Sequence, residues 1–358
     1  MILEKTRVFT VSKNADTEED IRALRFAADV IRRGGLVVFP TETVYGLGAN
    51  ALDADAARSI YVAKGRPSNN PLIIHLHDKA SIPDYCDTEN VRGADVLTSL
   101  MPAPLTVILP AKDIIPRVIT AGGDSVAVRV PTSVIARKLI ELSGVPIAAP
   151  SANLSGKPSP TCARHVLEDM DGVADVIIDG GDCEVGVEST IVTLCLDTPT
   201  LLRPGGITYE TLCALLGDVA ISDAVLNALM PGEKVLSPGM MYKHYAPDRP
   251  VTLVKGGREA CIAYVNARCE EADCAVICYG EDEAAISSKA KAVFSAGSRA
   301  ANEEYAAKIF TMLRDTNSVG CSRVYAFLPP STEGISLAIY NRLLRAAGFT
   351  VVETGDIV

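Results

Sequence analysis

Leu36-Val37-Val38-Phe39-Pro40-Thr41-Glu42-Thr43-Val44-Tyr45-Gly46-Leu47-Gly48 decides how the first half of the chain folds. Four consecutive apolar residues, three of them β-branched or aromatic, predict a buried strand that ends at Pro40. The hydroxyls and glycines that follow suit either a plain turn or close backbone approach to a small polar ligand. Upstream, residues 17–33 predict a helix with Thr17 as N-cap, Glu18, Glu19 and Asp20 in the first turn, and Gly34-Gly35 as the stop. Downstream, short β-like runs occupy 72–76, 105–109, 125–130, 145–149, 176–178 and 190–194, with helical stretches near 53–62, 133–143 and 161–170. Strands outnumber helices without strict alternation. This predicts an α/β domain of the α+β kind, with a twisted mixed sheet.

From Val251 the rhythm changes. Strand-like runs at 251–255, 274–279 and 324–328 alternate with helical ones at 258–270, 281–291, 302–316 and 335–347. That pattern predicts a small Rossmann-like parallel α/β domain. The organisation is therefore an N-terminal unit over 1–215, a linker over 216–250 and a C-terminal unit over 251–358. Within the linker, Ser237-Pro-Gly-Met-Met-Tyr-Lys-His-Tyr-Ala-Pro-Asp-Arg-Pro250 carries prolines that forbid regular structure. Its Met240, Met241, Tyr242, His244 and Tyr245 are too apolar for a bare tether.

Composition narrows the function classes. At 358 residues two domains are expected, and a hydrophobic fraction of 48% supports real cores. Trp is absent and aromatics are 5%, which argues against a stacking platform for single-stranded nucleic acid. The net charge of −10 argues against wholesale binding to nucleic acid or anionic membrane. Residues 251–358 hold 11 Lys and Arg against 13 Asp and Glu, leaving 23 against 31 in the first 250. Any anion site must be a local concentration of positive charge. The ten cysteines form no CxxC pair and read as reduced, mostly buried thiols. Met-Ile-Leu-Glu-Lys lacks a signal-peptide core and no apolar run approaches a membrane span, so a cytoplasmic location is expected.

Ser155-Gly156-Lys157-Pro158 fails as a P-loop, because Pro stands where Ser or Thr belongs and position 151 is Ser. The densest polar cluster is Lys64-Gly-Arg66-Pro-Ser-Asn-Asn70-Pro-Leu-Ile-Ile-His75-Leu-His77, which contains no carboxylate. Stiffened by two prolines, it reads either as a solvated basic loop or as a planar donor fork for phosphate. His75 and His77 would share one strand face. Residues 148–159 place Ser151, Asn153, Ser155, Gly156 and Ser159 after an apolar strand: an ordinary loop or an anion-binding nest. Arg129 lies inside the apolar run Val126-Ala-Val-Arg129-Val-Pro131 and demands a partner, either an internal acid or a ligand carboxylate. Gly186-Val-Glu188-Ser189-Thr190-Ile191 and Leu202-Arg203-Pro-Gly205-Gly206 again join polar groups to turns. Fixed cations, amides and hydroxyls at strand ends are equipment for aligning anionic reactants.

With these stretches in view, the chain resembles the Sua5/YrdC/YwlC family in its two-domain Sua5 form. The matching segments, 40–52, 64–75, 104–109, 127–131, 149–158, 187–192, 202–206 and 237–247, stand in the family's order. The match over 251–358 is weaker, and Met101-Pro-Ala-Pro104 departs from the family's aromatic-and-glycine pattern. The resemblance implies a YrdC-like mixed-sheet domain with a positively lined cleft. It implies an ATP-dependent nucleotidyltransferase that converts L-threonine and bicarbonate to a threonylcarbamoyl adenylate and pyrophosphate, with Mg²⁺ accompanying ATP and no metal held by protein side chains. The product would pass to a separate transferase that modifies adenosine 37 of ANN-decoding tRNAs, with weak or no direct tRNA contact and no membrane. Carried over residue by residue, Thr43, His75, Arg129, Ala149 and Ser189 would bind threonine. Lys64, Arg66, Asn70, Ser125, Ser151, Ser159, Arg203, His244 and Tyr245 would bind ATP, with Lys64 and Arg66 catalytic. The linker strip would fold back over that site and close on ATP. The rival reading is an RNA-binding translation or ribosome-maturation factor using the same cleft, which an acidic domain opposes.

Overall fold

A computed structural model describes residues 6–227 and 244–355 and distributes their strands over two sheets. Met240, Met241 and Tyr242 of the linker lie outside the described residues. The first sheet comprises β1 (Arg7–Thr10), β2 (Val37–Phe39), β3 (Gly46–Asn50), β4 (Ile73–His75), β5 (Leu105–Pro110), β6 (Ser125–Arg129), β7 (Ile147–Ala148), β8 (Val176–Asp179), β9 (Thr190–Thr193), β10 (Thr200–Arg203) and β11 (Ala220–Ile221). Their spatial order is β1-β8-β2-β3-β7-β4-β6-β5-β9-β10-β11. Parallel pairs such as β4–β6 and β5–β9 sit among antiparallel ones such as β2–β3 and β5–β6, so the sheet is mixed. The second holds β12 (Val251–Lys255), β13 (Cys274–Cys278), β14 (Ala292–Ser295), β15 (Arg323–Phe327) and β16 (Val351–Glu353), all parallel, in the order β14-β13-β15-β12-β16.

The helices are α1 (Glu18–Arg32), α2 (Ala54–Lys64), α3 (Ile82–Tyr85), α4 (Ala94–Ser99), α5 (Val134–Ser143), α6 (Ala163–Met170), α7 (Tyr209–Leu216), α8 (Arg258–Glu271), α9 (Asn302–Asp315) and α10 (Ser336–Ala346). Thr17 caps α1 through a capping box with Asp20, as the acidic first turn suggested. Leu24, Ala27 and Ile31 of α1 join Leu139 and Ile140 of α5 in covering one face of the first sheet, over Phe39 and Ile178. The opposite face buries Val38, Leu47, Ile60 and Val128.

Several expectations need correction. Residues 281–291 do not form a helix. Asp282 is fully buried between Arg258 and Arg299, the Ser287 N–H is drawn to the Asn266 side chain, and a 3-10 turn (Gly280–Ala285) leads into β14 instead. Gly46–Asn50 is a strand, so the glycines left open as a plain turn or a ligand approach lie in the sheet. The first sheet also takes in β11, which pairs in parallel with β10 and ends at Ile221. His75 and His77 do not share a face: β4 ends at His75, which is buried, whereas His77 is exposed.

Candidate active site

The strand ends build one cavity. Parallel pairing sets His75 opposite Arg129, and the Ala149 N–H just past β7 donates to the Ile73 carbonyl at 2.9 Å. The β2–β3 loop contributes Thr41 and Val44, and β10 ends on Arg203. Together with Arg66, Ser151, Glu188, His244 and Tyr245 they enclose about 40 Å³. Gly205 allows the β10 end to lie on the neighbouring loop, since a Cβ there would sit 2.4 Å from the Glu188 carbonyl oxygen.

Arg129 has an internal partner. Its Nη2 donates to Glu42 Oε1 at 2.6 Å and to the Thr43 hydroxyl at 2.8 Å, while Glu42 Oε2 accepts from the Thr132 N–H at 3.2 Å. Of the two partners left open by the sequence, the structure shows the internal acid. Arg129 Nε is buried without a partner. Arg66 resembles it: Nη2 donates to the Asn70 and Pro71 carbonyls at 3.3 and 3.1 Å, and Nε has none. Arg203 donates through Nε to the Ser189 carbonyl at 3.1 Å and through Nη2 to the Ser189 hydroxyl at 3.2 Å. Burial holds both Arg66 and Arg203 down to about 10, a measure of how poorly water reaches them. Burial, with Arg129 beside it, also holds His75 down to about 3, so its ring is neutral at ordinary pH.

The remaining expected residues surround this cavity rather than line it. Lys64 turns its ammonium onto the carbonyls of Ser151 and Asn153, so it braces the 151–153 loop from behind. Burial, with Arg66 nearby, pushes its pKa well below the lysine value. Ser159 donates to Glu188 at 2.7 Å, and Ser189 exchanges a 2.7 Å hydrogen bond with Thr106. Asn70 supplies a carbonyl to Arg66. Ser125 begins the strand that Arg129 ends, roughly 13 Å away at the usual rise per residue. It is not brought to the cavity.

From the linker, the imidazole of His244 packs 4.4 Å from the Tyr245 ring, which lies 5.1 Å from Phe310 on α9. Tyr245 adopts φ 66°, a left-handed conformation that costs a non-glycine residue energy, and the Ala246 N–H donates to the Gly156 carbonyl at 3.0 Å. Burial depresses His244 to about 3, and its Nδ1 has no partner.

Sequence reasoning assigned no role to Glu42 or Glu188, nor to two arginines from the second domain. Arg314 of α9 donates to the Pro158 carbonyl and, at 2.6 Å, to Asp169. Arg342 of α10 donates to Glu188 at 2.7 Å. The signal for Glu42 was present, because it is the one acid in the stretch that follows the β2 strand. Nothing local pointed to Arg314 or Arg342. Among the described residues no group of three or more His, Cys, Asp or Glu could hold a metal ion, and no helix is long and apolar enough to cross a membrane.

A mixed sheet whose strand ends enclose buried arginines, a neutral imidazole and hydroxyls, beside a second, parallel sheet, makes this a mixed α/β protein. A family model for Sua5, YciO and YrdC proteins, described as telomere recombination, matches residues 29–205, and one described as the threonylcarbamoyl-AMP synthase C-terminal domain matches 207–348. Among curated relatives, threonylcarbamoyl-AMP synthase of Pyrococcus abyssi is 44% identical over 92% of this chain and 95% of its own, and that of Bacillus subtilis is 41% identical over 97% and 99%. The crystal structure of P. abyssi Sua5 complexed with L-threonine superposes with a TM-score of 0.89 at 42% identity, covering 97% of this chain and 99% of that one. The chain belongs to the Sua5/YrdC/YwlC family, in its two-domain form.

Proposed function

We propose that this chain is an enzyme that makes L-threonylcarbamoyladenylate and pyrophosphate from L-threonine, bicarbonate and ATP, a nucleotidyltransfer that opens the modification of adenosine 37 in ANN-decoding tRNAs. Its near full-length relatives are named for this product, and one of them has been solved with L-threonine. The observation that carries the reading is the set of buried guanidinium Nε groups on Arg66 and Arg129 with no protein partner, in one cavity with a neutral imidazole. Buried donors without acceptors are costly, and an anionic ligand relieves that cost.

In this reading Arg129 and Thr43 hold the threonine carboxylate and hydroxyl region. His75, Ala149 and Ser189 shape the rest of that subsite. Arg66, Arg203, Ser151 and Ser159 take the phosphates, with Asn70 and Ser125 further out along the nucleotide. Lys64 serves the reaction by fixing the Ser151 loop or by turning onto the phosphates. ATP enters as its magnesium complex. The carbamate formed on the threonine amine attacks the α-phosphorus, and the fixed cations stabilise charge as pyrophosphate leaves. His244 and Tyr245 exclude water from a hydrolysable adenylate. The division into a catalytic unit (1–215), linker (216–250) and C-terminal unit (251–358) belongs to the same proposal. So do a cytoplasmic setting and transfer of the adenylate to a separate tRNA transferase without strong tRNA contact. Pyrophosphate release from ATP should require both threonine and bicarbonate, with the adenylate seen by mass spectrometry. Equal ATP turnover without threonine would remove the reaction.

A further inference from the structure

Glu188 is out of place in a cavity otherwise prepared for anions. It is buried, lines the same space as Arg66 and Arg203, and would repel a triphosphate if its charge were uncompensated. Compensation comes from the other domain. Arg342, fully buried on α10, donates from Nε to Glu188 Oε2 at 2.7 Å and from Nη2 to the Pro204 carbonyl at 3.0 Å. Its guanidinium carbon lies 5.7 Å from the Tyr245 ring centre. The other Glu188 oxygen accepts from Ser159 at 2.7 Å. Burial raises the Glu188 carboxyl, and Arg342 with Arg203 more than reverses this, leaving it at about 2 and charged. Glu188 thus binds the Ser159 loop and Arg342 directly, and Arg342 in turn reaches the β10 end and the linker tyrosine.

We propose that Arg342 is a positioning residue for the active site: it neutralises Glu188 from behind, so that Glu188 holds Ser159 and Tyr245 in place without withdrawing Arg203 from the triphosphate. The inference rests on the ATP reading above. It gives the C-terminal unit a defined part in a site whose substrate contacts lie in the N-terminal unit and linker. Without Arg342, Glu188 is left as an unpaired buried anion whose nearest remedy is Arg203, a phosphate cation.

The test is a double-mutant cycle on the full chain with Arg342→Met, Glu188→Gln and the double variant, measuring ATP and threonine KM, kcat and equilibrium ATP affinity. Arg342→Met should weaken ATP by more than about tenfold while threonine KM moves less than about twofold. Glu188→Gln keeps an acceptor for Ser159 but leaves Arg342 without its anion, so it serves as the reference arm of the cycle and should weaken ATP less than Arg342→Met does. The double variant should return to within about threefold of wild type, because the stranded charge is gone. Unchanged ATP affinity in Arg342→Met, or a double variant as impaired as Arg342→Met, overturns the proposal and leaves a domain clamp. If Arg342→Met does not fold, equal ATP affinity in Glu188→Gln and the double variant supports it, and a large gap between those two overturns it. Threonine-independent turnover by wild type would defeat the reaction assignment alone, since direct ATP binding still decides the cycle. Absence of ATP binding to wild type would overturn both.

Discussion

Arg129 and Glu42 form an ion pair 2.6 Å apart with each side chain only 5% exposed. The pair settles Arg129's charge yet leaves its Nε unmatched at the cavity, so one residue serves the fold and the proposed ligand together.

Arg129→Ala should therefore fail in two separable ways. Stranding the buried Glu42 carboxylate should cost on the order of 3–5 kcal/mol, read as a fall in urea midpoint. Losing the charge-assisted contact to threonine, worth roughly 1.5–3 kcal/mol, should raise threonine KM about ten- to a hundredfold in the folded fraction. A destabilised variant with unchanged threonine dependence would confine Arg129 to the fold.

Arg66→Ala should separate differently. Its protein partners are two carbonyls of its own loop, so the fold should lose little. ATP KM should rise about tenfold or more through loss of a charge-assisted contact. Unaltered ATP KM would assign the phosphates to other cations.

Where the sequence was legible, the cause was local. Apolar strand runs ending at Pro40 and Ala149 have fixed ends, so groups beside those ends meet at one cavity. Thr17 with Asp20 marked a helix start because capping chemistry needs only neighbouring residues. Legibility failed where long-range charge decided. Asp282 abolished an expected helix by pairing with Arg258 and Arg299, and the Glu188–Arg342 contact joins residues from two domains. The family resemblance assigns Lys64 to ATP, and its bonds to the carbonyls of residues 151 and 153 come from a distant loop that its own stretch does not reveal. β3 escaped because its glycines resemble a turn until Phe39 and Ile147 are packed against Gly48.

Acid should destabilise the protein well above the usual carboxylate range. His75 and His244 have folded pKa values near 3, against 6.5 for the free side chain. The unfolded chain binds these protons first, so stability is complete above pH 6.5 and falls as pH drops from there toward 3. Each residue contributes up to ~1.4 kcal/mol per pH unit in that window. Glu188, depressed to about 2 from 4.5, acts in the same direction at lower pH: its contribution is present above 4.5 and lost as pH falls through 2. Urea midpoints should drop steeply between pH 6.5 and 5. A flat profile would mean that the imidazoles reach water.

The linker yields the most decisive prediction, because a spacer and a lid differ in every measurement. His244 and Tyr245 line the cavity, and its volume of about 40 Å³ accommodates little more than water. ATP needs a larger space, and withdrawing this pair from the cavity wall would provide it. The displacement is feasible: Tyr245 sits at φ 66°, and half-buried His244 leaves its Nδ1 enclosed without a partner. These are costs that release would recover. Tryptic cleavage after Lys243 should be slow in the free protein and faster with a non-hydrolysable ATP analogue. It should slow again once threonine and bicarbonate complete the site and the segment closes over the adenylate. Acid below about pH 6.5 should also speed cleavage, because the released His244 takes up a proton that the docked imidazole, held down to about 3, does not. Replacing 242–246 with Gly and Ser at constant length should lower turnover at least tenfold, through lost water exclusion and lost Tyr245 contacts. Full activity in that variant, with cleavage indifferent to ligands and pH, would reduce the segment to a tether.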